Sequence, residues 1–327
     1  MSSPRSRTPL RRVTYVLLWI MVLGWALFTG WRLFGAEVAW PVAVVISYTP
    51  YIAAAILIPI AVAVWLRTIA LLTVLVVCAC ALVVVLMPRF FADGDGAGDG
   101  PQLRVMTANV LTGDADLDAI ADLVVDNKID VLTVLELDAD AVDKLAKTEV
   151  ADQLPHQVLK PADKAAGTGI YSRHELTEND ELAVDGLFYN PAATIDVPKA
   201  GDVEFVAVHP SPPINPDRTR HWRHDLRALP PAPTDGTPRI LAGDFNATLD
   251  HRILRDLIAM GYTDAADATG SGLTGTWPTD KNFPPKVTID HVLTSTGITP
   301  TTYATHTIPN SDHRALTTTM TLPKPDD

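Results

Sequence analysis

The sequence predicts an α/β sandwich preceded by three transmembrane helices. Three observations carry this. Uncharged runs crowd the first ninety residues. Strand-like and helix-like segments interleave over the remainder, and the second half is too rich in strands for a pure doubly wound sheet.

The uncharged runs are Val13–Trp31 with 19 residues, Val38–Leu66 with 29 and Thr68–Pro88 with 21. About 20 helical residues cross a ~30 Å hydrocarbon core. A signal peptide explains only the first run. Pro41, Pro50 and Pro59 kink or divide the second. Arg5, Arg7, Arg11 and Arg12 precede the first run and Arg67 separates the last two, so the positive-inside rule places both in the cytoplasm. Arg32 and Arg89, on the other side, are single charges. An odd number of spans then leaves everything after Pro88 outside the cytoplasm.

This divides the chain into a membrane anchor over 1–91, a linker over 92–100 and a soluble domain over 101–323. The linker reads ADGDGAGDG. A calcium loop would need a glutamate about eleven residues after Asp93, where Arg104 stands. A flexible connection suits it better. Beyond Gly100 there are 19 basic and 34 acidic residues, a net charge near −15. That is a poor footprint for a polyanion, which normally meets a basic stripe. A phosphate bridged by a cation stays open. Both cysteines, Cys78 and Cys80, fall in the third apolar run, so the soluble domain has no disulfide.

Strand-like runs cover Leu103–Asn109, Asp130–Glu136, Gly169–Ser172, Thr194–Val197, Glu204–Val208, Arg239–Ala242, Val287–Leu293 and Leu316–Leu322. In Asp116–Lys128 the residues Leu117, Ile120, Ala121 and Val124 share one helical face. Asp225–Leu229 and Leu249–Met260 also read as helical. The chain shows no internal repeat.

Polar residues stand at the ends of these strands. They are Asn109 in TANV, Glu136 in LELD, His209 in AVHPSPP, Asp244 and Asn246 in LAGDFNA, Asp290 in TIDHVL, and Asp312 with His313 in SDHR. Each alone has a plain explanation: a turn residue, a solvated strand end, a satisfied interior histidine. Their recurrence at strand ends points to a site on one sheet edge. Hard divalent cations such as Mg²⁺ take carboxylate and amide oxygens, and a bound cation polarises a phosphoryl oxygen. A histidine with an aspartate partner, as Asp290 and His313 could supply, has a fixed tautomer and a favoured imidazolium. This set suits metal-assisted phosphoester hydrolysis.

In this order the motifs resemble the endonuclease/exonuclease/phosphatase family, with its DNase I-like fold, over about residues 102–321. The resemblance implies two packed sheets flanked by helices and a Mg²⁺- or Mn²⁺-dependent attack of water on a phosphoester. It implies Asn109, Glu136 and Asp312 as metal-binding residues, with Glu136 the principal ligand. It implies His209 at the scissile phosphate and as a possible donor to the leaving group, Asp244 orienting or deprotonating water, and Asn246 on a phosphate oxygen. Asp290 would orient His313, whose role as base or electrostatic stabiliser stays open. Many members carry Gln before the metal glutamate, where this chain has Leu135. The basic and aromatic loops with which DNA-repair members grip a duplex are not evident.

The architecture also resembles the VanJ-type membrane proteins of actinobacteria, linked to teicoplanin-class glycopeptide resistance. That implies the lipid bilayer as a partner and a lipid-linked phosphate of the cell envelope as substrate. The alternatives are a membrane-tethered nuclease, with nucleic acid possible but not favoured, and a non-catalytic binding module. No G-x-S-x-G or H-E-x-x-H motif occurs, which argues against a serine hydrolase or a zinc protease. His291 alternates to the face opposite Asp290 and reads as structural. Trp277 reads as packing beneath a loop more than as pocket lining. Arg218 and His221 could touch substrate or simply face solvent.

Overall fold

The computed structural model describes residues 8–93, 98–234 and 236–324, with side chains from residue 13. Arg5 and Arg7, the side chains of Arg11 and Arg12, and positions 94–97 of the expected linker lie outside the described residues. The chain divides into two compact units, Met1–Ala36 with Tyr48–Pro88, and Glu37–Ser47 with Arg89–Asp327.

The first unit is helical. It holds α1 (Thr8–Phe34), then, after α2 (Trp40–Ser47) of the second unit, α3 (Thr49–Ala55), α4 (Leu57–Trp65) and α5 (Ile69–Leu86). Val22, Ile56, Ala63, Leu71, Leu75 and Cys78 form its buried seam. Val13–Phe34 and Ile69–Phe90 are each long and apolar enough to cross a membrane.

The second apolar run differs from the single span expected over Val38–Leu66. Its helix breaks before Thr49–Trp65, with a 65° bend between the two parts. The break falls at Tyr48, two residues before Pro50, whose ring and missing N–H oppose a continuous helix. The part ahead of the break packs with the second unit, and the two units meet in the chain between Pro88 and Arg89 as well as on either side of Glu37–Ser47. Arg89 is buried against Asp250, Ala92 bridges to Thr269, and the Asp93 N–H donates to the Ala268 carbonyl at 2.9 Å. The first residues of the expected linker are therefore part of the folded domain.

The second unit contains two six-stranded sheets. The first has the order β13–β14–β1–β2–β4–β3, with β1 Gln102–Asn109, β2 Val131–Leu135, β3 His156–Lys160, β4 Thr168–Ser172, β13 Thr299–Thr307 and β14 Arg314–Thr321. The other has the order β11–β12–β10–β9–β8–β5. Its strands are β5 Leu176–Glu178, β8 Ala192–Val197, β9 Gly201–Val208, β10 Arg239–Asp244, β11 Tyr262–Asp264 and β12 Asp290–Ser295. A small hairpin pairs β6 (Val184–Asp185) with β7 (Tyr189–Asn190).

Each large sheet has one central parallel pair, β1 with β2 and β9 with β10. The remaining pairs in these sheets are antiparallel. A parallel pair places two strand ends side by side, and an antiparallel neighbour starts where its partner ends. This geometry brings Asn109, Glu136 and His313 to one edge of the first sheet, and His209, Asp244 and Asp290 to one edge of the second.

Alternate strand residues face the two sides. Leu103, Val105, Phe205, Ala207, Ile240, Ala242, Val292 and Leu316 belong to the core between the sheets. The outer face of the first sheet is covered by α6 (Leu117–Asp126), α7 (Ala139–Leu145) and α8 (Glu149–Gln153). Asp116 caps α6 by accepting from the Ala119 N–H, and Asp138 caps α7 likewise from Ala141. The outer face of the second sheet is covered by α9 (Pro216–Ala228) and α10 (Arg252–Ile258), with α11 (Ala265–Ala268) following β11. The helix expected at Asp225–Leu229 starts nine residues earlier. Asn215 caps it and Pro216, at its first position, has a backbone already set for a helix.

Candidate active site

The first wall of the site comes from β1 and β2. The Asn109 amide donates to Glu136 Oε1 at 3.1 Å, and the Thr112 N–H donates to Oε2 at 3.1 Å. Glu136 adopts a left-handed backbone with φ of 60°, a conformation that costs a non-glycine residue of order 1 kcal/mol. The turn aims the carboxylate at the sheet edge. Burial raises its pKa, against the opposing effect of the Asn109 hydrogen bond. Asn109, expected among the metal-binding residues, lies against the glutamate expected to be the principal ligand. Its amide nitrogen serves Glu136, and its oxygen accepts from the Leu111 N–H at 3.0 Å. It orients the carboxylate.

The second wall comes from β9, β10 and β12. Asp244 and Asp290 are directly paired across β10 and β12. Gly243 permits this edge to close. It has φ of 152°, and a Cβ there would lie 2.1 Å from the Val208 carbonyl oxygen on β9. The Asn246 N–H donates to Asp244 Oδ1 at 2.8 Å, and one Asn246 amide N–H goes to the Pro210 carbonyl at 3.0 Å. The turn after Asp244 is pinned further. Trp222 donates to the Phe245 carbonyl at 3.1 Å, and His291 Nε2 lies 2.9 Å from the Ala247 carbonyl. So Asp244-x-Asn246 is both a strand stop and part of the site edge.

His313 joins the two walls. Its Nδ1 lies 3.0 and 3.2 Å from the oxygens of Asp290. Its Nε2 is 3.8 Å from Asp244 and 4.0 Å from Asp312. Burial alone would lower its pKa, but Asp290, Asp244 and Asp312 outweigh this and raise it to about 10. Burial, followed by the charge of Asp290, raises the pKa of Asp244. His209 behaves in the opposite way. Burial and then the charge of His313 lower it to about 3, and its Nδ1 is buried with no partner among the described residues. The Asn190 side chain accepts from its backbone N–H at 2.6 Å, and Phe188 packs on its ring at 4.9 Å. Burial thus favours the neutral form of His209, which keeps the capacity to hydrogen-bond at the site.

Trp277 corrects another expectation. Its indole N–H donates to Asp312 Oδ2 at 2.9 Å, and its ring centroid lies 6.4 Å from that of His313. It serves the site as well as packing. Asp312 Oδ1 is buried without a hydrogen-bond partner among the described residues, with His313 Nε2 4.0 Å away, as an oxygen meant for a cation would be. Glu136 is close enough for the charges of Asp312 and His313 to act on its pKa. Oxygen donors at these positions fit a hard divalent cation. Asp244, Asp290 and His313 also offer three ligand atoms within 4.8 Å of one another. That trio is the poorer cradle, because Asp290 is already engaged by His313 Nδ1 and the imidazole is positive at neutral pH.

His291, expected to be structural, lies 2.8 Å from Asp264 through Nδ1 and points away from the site. Arg218 sits over Phe188, 5.6 Å from the ring centroid, while His221 is exposed. Two contributors escaped the sequence reading. Ser311 donates to the Asn109 carbonyl at 2.8 Å and accepts from the His313 N–H at 3.1 Å. Asn190 orders His209. Ser311 stands in the SDHR motif, so proximity could have flagged it; Asn190 leaves no local signal.

The sequence profile of the Endonuclease/Exonuclease/phosphatase family matches residues 106–313, well over half of the chain. The chain belongs to that family. It is a phosphoester hydrolase with the two-sheet DNase I-like fold. Among solved structures it is similar to an endonuclease/exonuclease/phosphatase from Beutenbergia cavernae, at 22% identity and a TM-score of 0.54, covering 68% of this chain and 72% of that one. It is also similar to D. rerio TDP2 complexed with single-strand DNA product, at 20% identity and a TM-score of 0.52, covering 67% and 98%. These likenesses concern the fold. No curated protein matches the chain.

Proposed function

We propose that this hydrolase is membrane-anchored, depends on Mg²⁺ or Mn²⁺, and acts outside the cytoplasm on a lipid-linked phosphate of the cell envelope, as a VanJ-type protein of glycopeptide resistance. The observation that carries the chemistry is His313. Its Nδ1 is held by Asp290 and its Nε2 remains directed toward Asp244 and Asp312.

Glu136 and Asp312 would hold the cation, with Asn109 and Trp277 orienting them. When bound, the cation polarises a phosphoryl oxygen and offsets charge developing there. Asp244, whose ionised form the charge of His313 favours, takes the proton of the attacking water. The new bond joins that water oxygen to phosphorus as the bond from phosphorus to its bridging oxygen breaks; in a polyprenyl pyrophosphate that oxygen leaves on the polyprenyl phosphate. The imidazolium of His313 faces the growing negative charge, which makes it a stabiliser and leaves the base role to Asp244. His209 and the remaining Asn246 N–H donate hydrogen bonds to phosphate oxygens.

Three spans and an external domain have two independent supports. The arginines of the N-terminus and Arg67 favour the cytoplasm. Glu37–Ser47 and Arg89 onward pack in one unit, so the segments that follow α1 and α5 belong to the same folded body. That is what α1, α3–α4 and α5 as successive crossings require. Thr49–Trp65 supplies 17 residues for the middle crossing, near the short limit for a span. A tethered site meets a lipid substrate at high effective concentration.

The test uses the full chain in detergent with Mg²⁺ or Mn²⁺. Phosphate release from polyprenyl pyrophosphate, lost in His313→Ala, is the expected result. Cleavage of plasmid DNA without lipid phosphate release would make it a tethered nuclease. Teicoplanin resistance on expression, absent with His313→Ala, is the expected cellular outcome.

A further inference from the structure

Composition makes the start of the second apolar run look like membrane span, yet Glu37–Ser47 is built into the hydrolase unit. The attachment is specific. The Glu37 carboxylate is buried and accepts from the Arg252 N–H at 2.7 Å and the Ile253 N–H at 3.4 Å. It thereby satisfies the free donors at the start of α10, which lacks a side-chain cap from its own N-cap residue His251. His251 is buried. Its Nδ1 accepts from the Thr248 N–H at 2.8 Å, so its Nε2 donates to the Ala43 carbonyl at 2.9 Å. Ala43 belongs to the same buried cluster as Trp222, Leu254 and Phe245.

The outer side of this segment is also apolar. Val38 is 59% exposed, Trp40 41%, Val44 37% and Val45 46%. A helix apolar on all sides needs an apolar medium on each of them. Among the described residues, protein supplies it on the side of Ala43 and Ile46, the two buried positions of α2. Chain continuity identifies what supplies it on the other. Tyr48 alone separates α2 from α3, and five residues separate it from α1, a reach of at most ~20 Å at full extension. Both neighbours lie in the runs read as crossing the membrane.

We infer that α2 is a mooring helix. Its inner face is fastened to α10, and its outer face lies in the interfacial layer of the lipid bilayer, where Trp40 suits the boundary between headgroups and acyl chains. Its inner contacts reach the catalytic turn. The ring of Trp222 packs edge-on against His251 at 5.3 Å, and its N–H holds the carbonyl of Phe245, between Asp244 and Asn246. This inference rests on the membrane anchoring proposed above.

The test places spin labels on the full chain in phosphatidylglycerol–phosphatidylcholine nanodiscs. Labels go at Val44→Cys or Val45→Cys, with Cys78→Ala and Cys80→Ala removing the native thiols. Controls are Val77→Cys in α5 and Glu181→Cys on the hydrolase surface. Collision with lipid-dissolved oxygen exceeding collision with an aqueous nickel chelate at 44 and 45 is the expected result. Accessibility at 44 and 45 equal to the aqueous Glu181→Cys control, with Val77→Cys in lipid, would overturn the mooring and leave the anchoring intact. An aqueous signal at Val77→Cys as well would overturn both.

Discussion

Two buried histidine–aspartate pairs lie back to back on β12, and only one of them belongs to the site. Asp290 holds His313 at 3.0 Å, and the next residue, His291, is held by Asp264 at 2.8 Å. Both imidazoles are raised in pKa. For both, burial opposes the charged form and the neighbouring carboxylates overcome it. What separates them is the second nitrogen. His291 spends Nε2 on the Ala247 carbonyl at 2.9 Å, whereas His313 Nε2 meets carboxylates only at 3.8 Å and beyond. A buried ion pair therefore identifies a site only when one of its atoms remains available to a substrate. The fully used pair is framework, and it props the turn carrying Asp244 and Asn246.

The sharpest break in this comparison comes from removing each imidazole. His313→Ala should lower phosphoester hydrolysis by roughly a thousandfold or more while the fold survives. His291→Ala should do the reverse. It leaves Asp264 buried without its cation, a change that costs ~3–5 kcal/mol. Urea unfolding alongside initial rates separates the two, and a His291→Ala protein of normal stability would refute the framework role.

Next in size is the cation. Chelation should abolish hydrolysis, and added Mg²⁺ or Mn²⁺ should restore it and raise the melting temperature. Asp312→Ala should weaken cation affinity by calorimetry, whereas His291→Ala should leave affinity nearly unchanged per folded molecule.

Asp290→Asn sharpens the comparison through pH. His313 is raised above its unfolded value, so it is charged up to about 10. Its contribution to stability is full below about 6.5, the unfolded value, and is lost as pH rises through about 10. The alkaline limb of the rate profile should lie near that upper value. In Asp290→Asn the limb should move to lower pH, with a rate loss of about a hundredfold. An unmoved limb would mean that Asp290 does not set the charge of His313.

His209 provides the contrast with opposite sign. Its folded pKa is depressed to about 3, so its contribution is present above about 6.5 and lost as pH falls toward 3, by up to ~1.4 kcal/mol per pH unit. His209→Gln should flatten that acid slope. The smallest effect belongs to Trp277→Phe. It removes the hydrogen bond to Asp312 and should cost about fivefold to thirtyfold in rate, the equivalent of ~1–2 kcal/mol. An unchanged rate would return Trp277 to a packing role.

Much of the site was legible because strand ends mark themselves. Alternating or continuous apolar residues followed by Asn109, Glu136, His209 or Asp244 announce where each strand stops, and an abrupt polar residue there has few structural excuses. The face of His291 followed from the two-residue period of a strand. The unread parts depend on contacts distant in the chain. The bond from Asn109 to Glu136 could not be read until the two strand ends were seen together. Trp277 could not be told from packing until Asp312 was found 35 residues away. β13 was missed because Thr299–Thr307 is an edge strand with no fully buried position, and helix α9 was entered late because Asn215-Pro216 followed a proline-rich loop.

The apolar N-terminal residues would read the same for any order of crossings, and composition treats residues 38–66 as uniform. Reading the chain residue by residue was enough for membrane-length apolar helices, an α/β sandwich domain and a set of oxygen and imidazole groups at its strand ends. Those follow from local properties, hydropathy, periodicity and residue type. Tertiary structure alone decided that Glu37–Ser47 belongs to the hydrolase, that His313 takes Asp290 and leaves Nε2 unspent, and that His209 stays neutral. Each of these depends on which distant groups share a buried, weakly screened environment, and burial is a property of the packed chain.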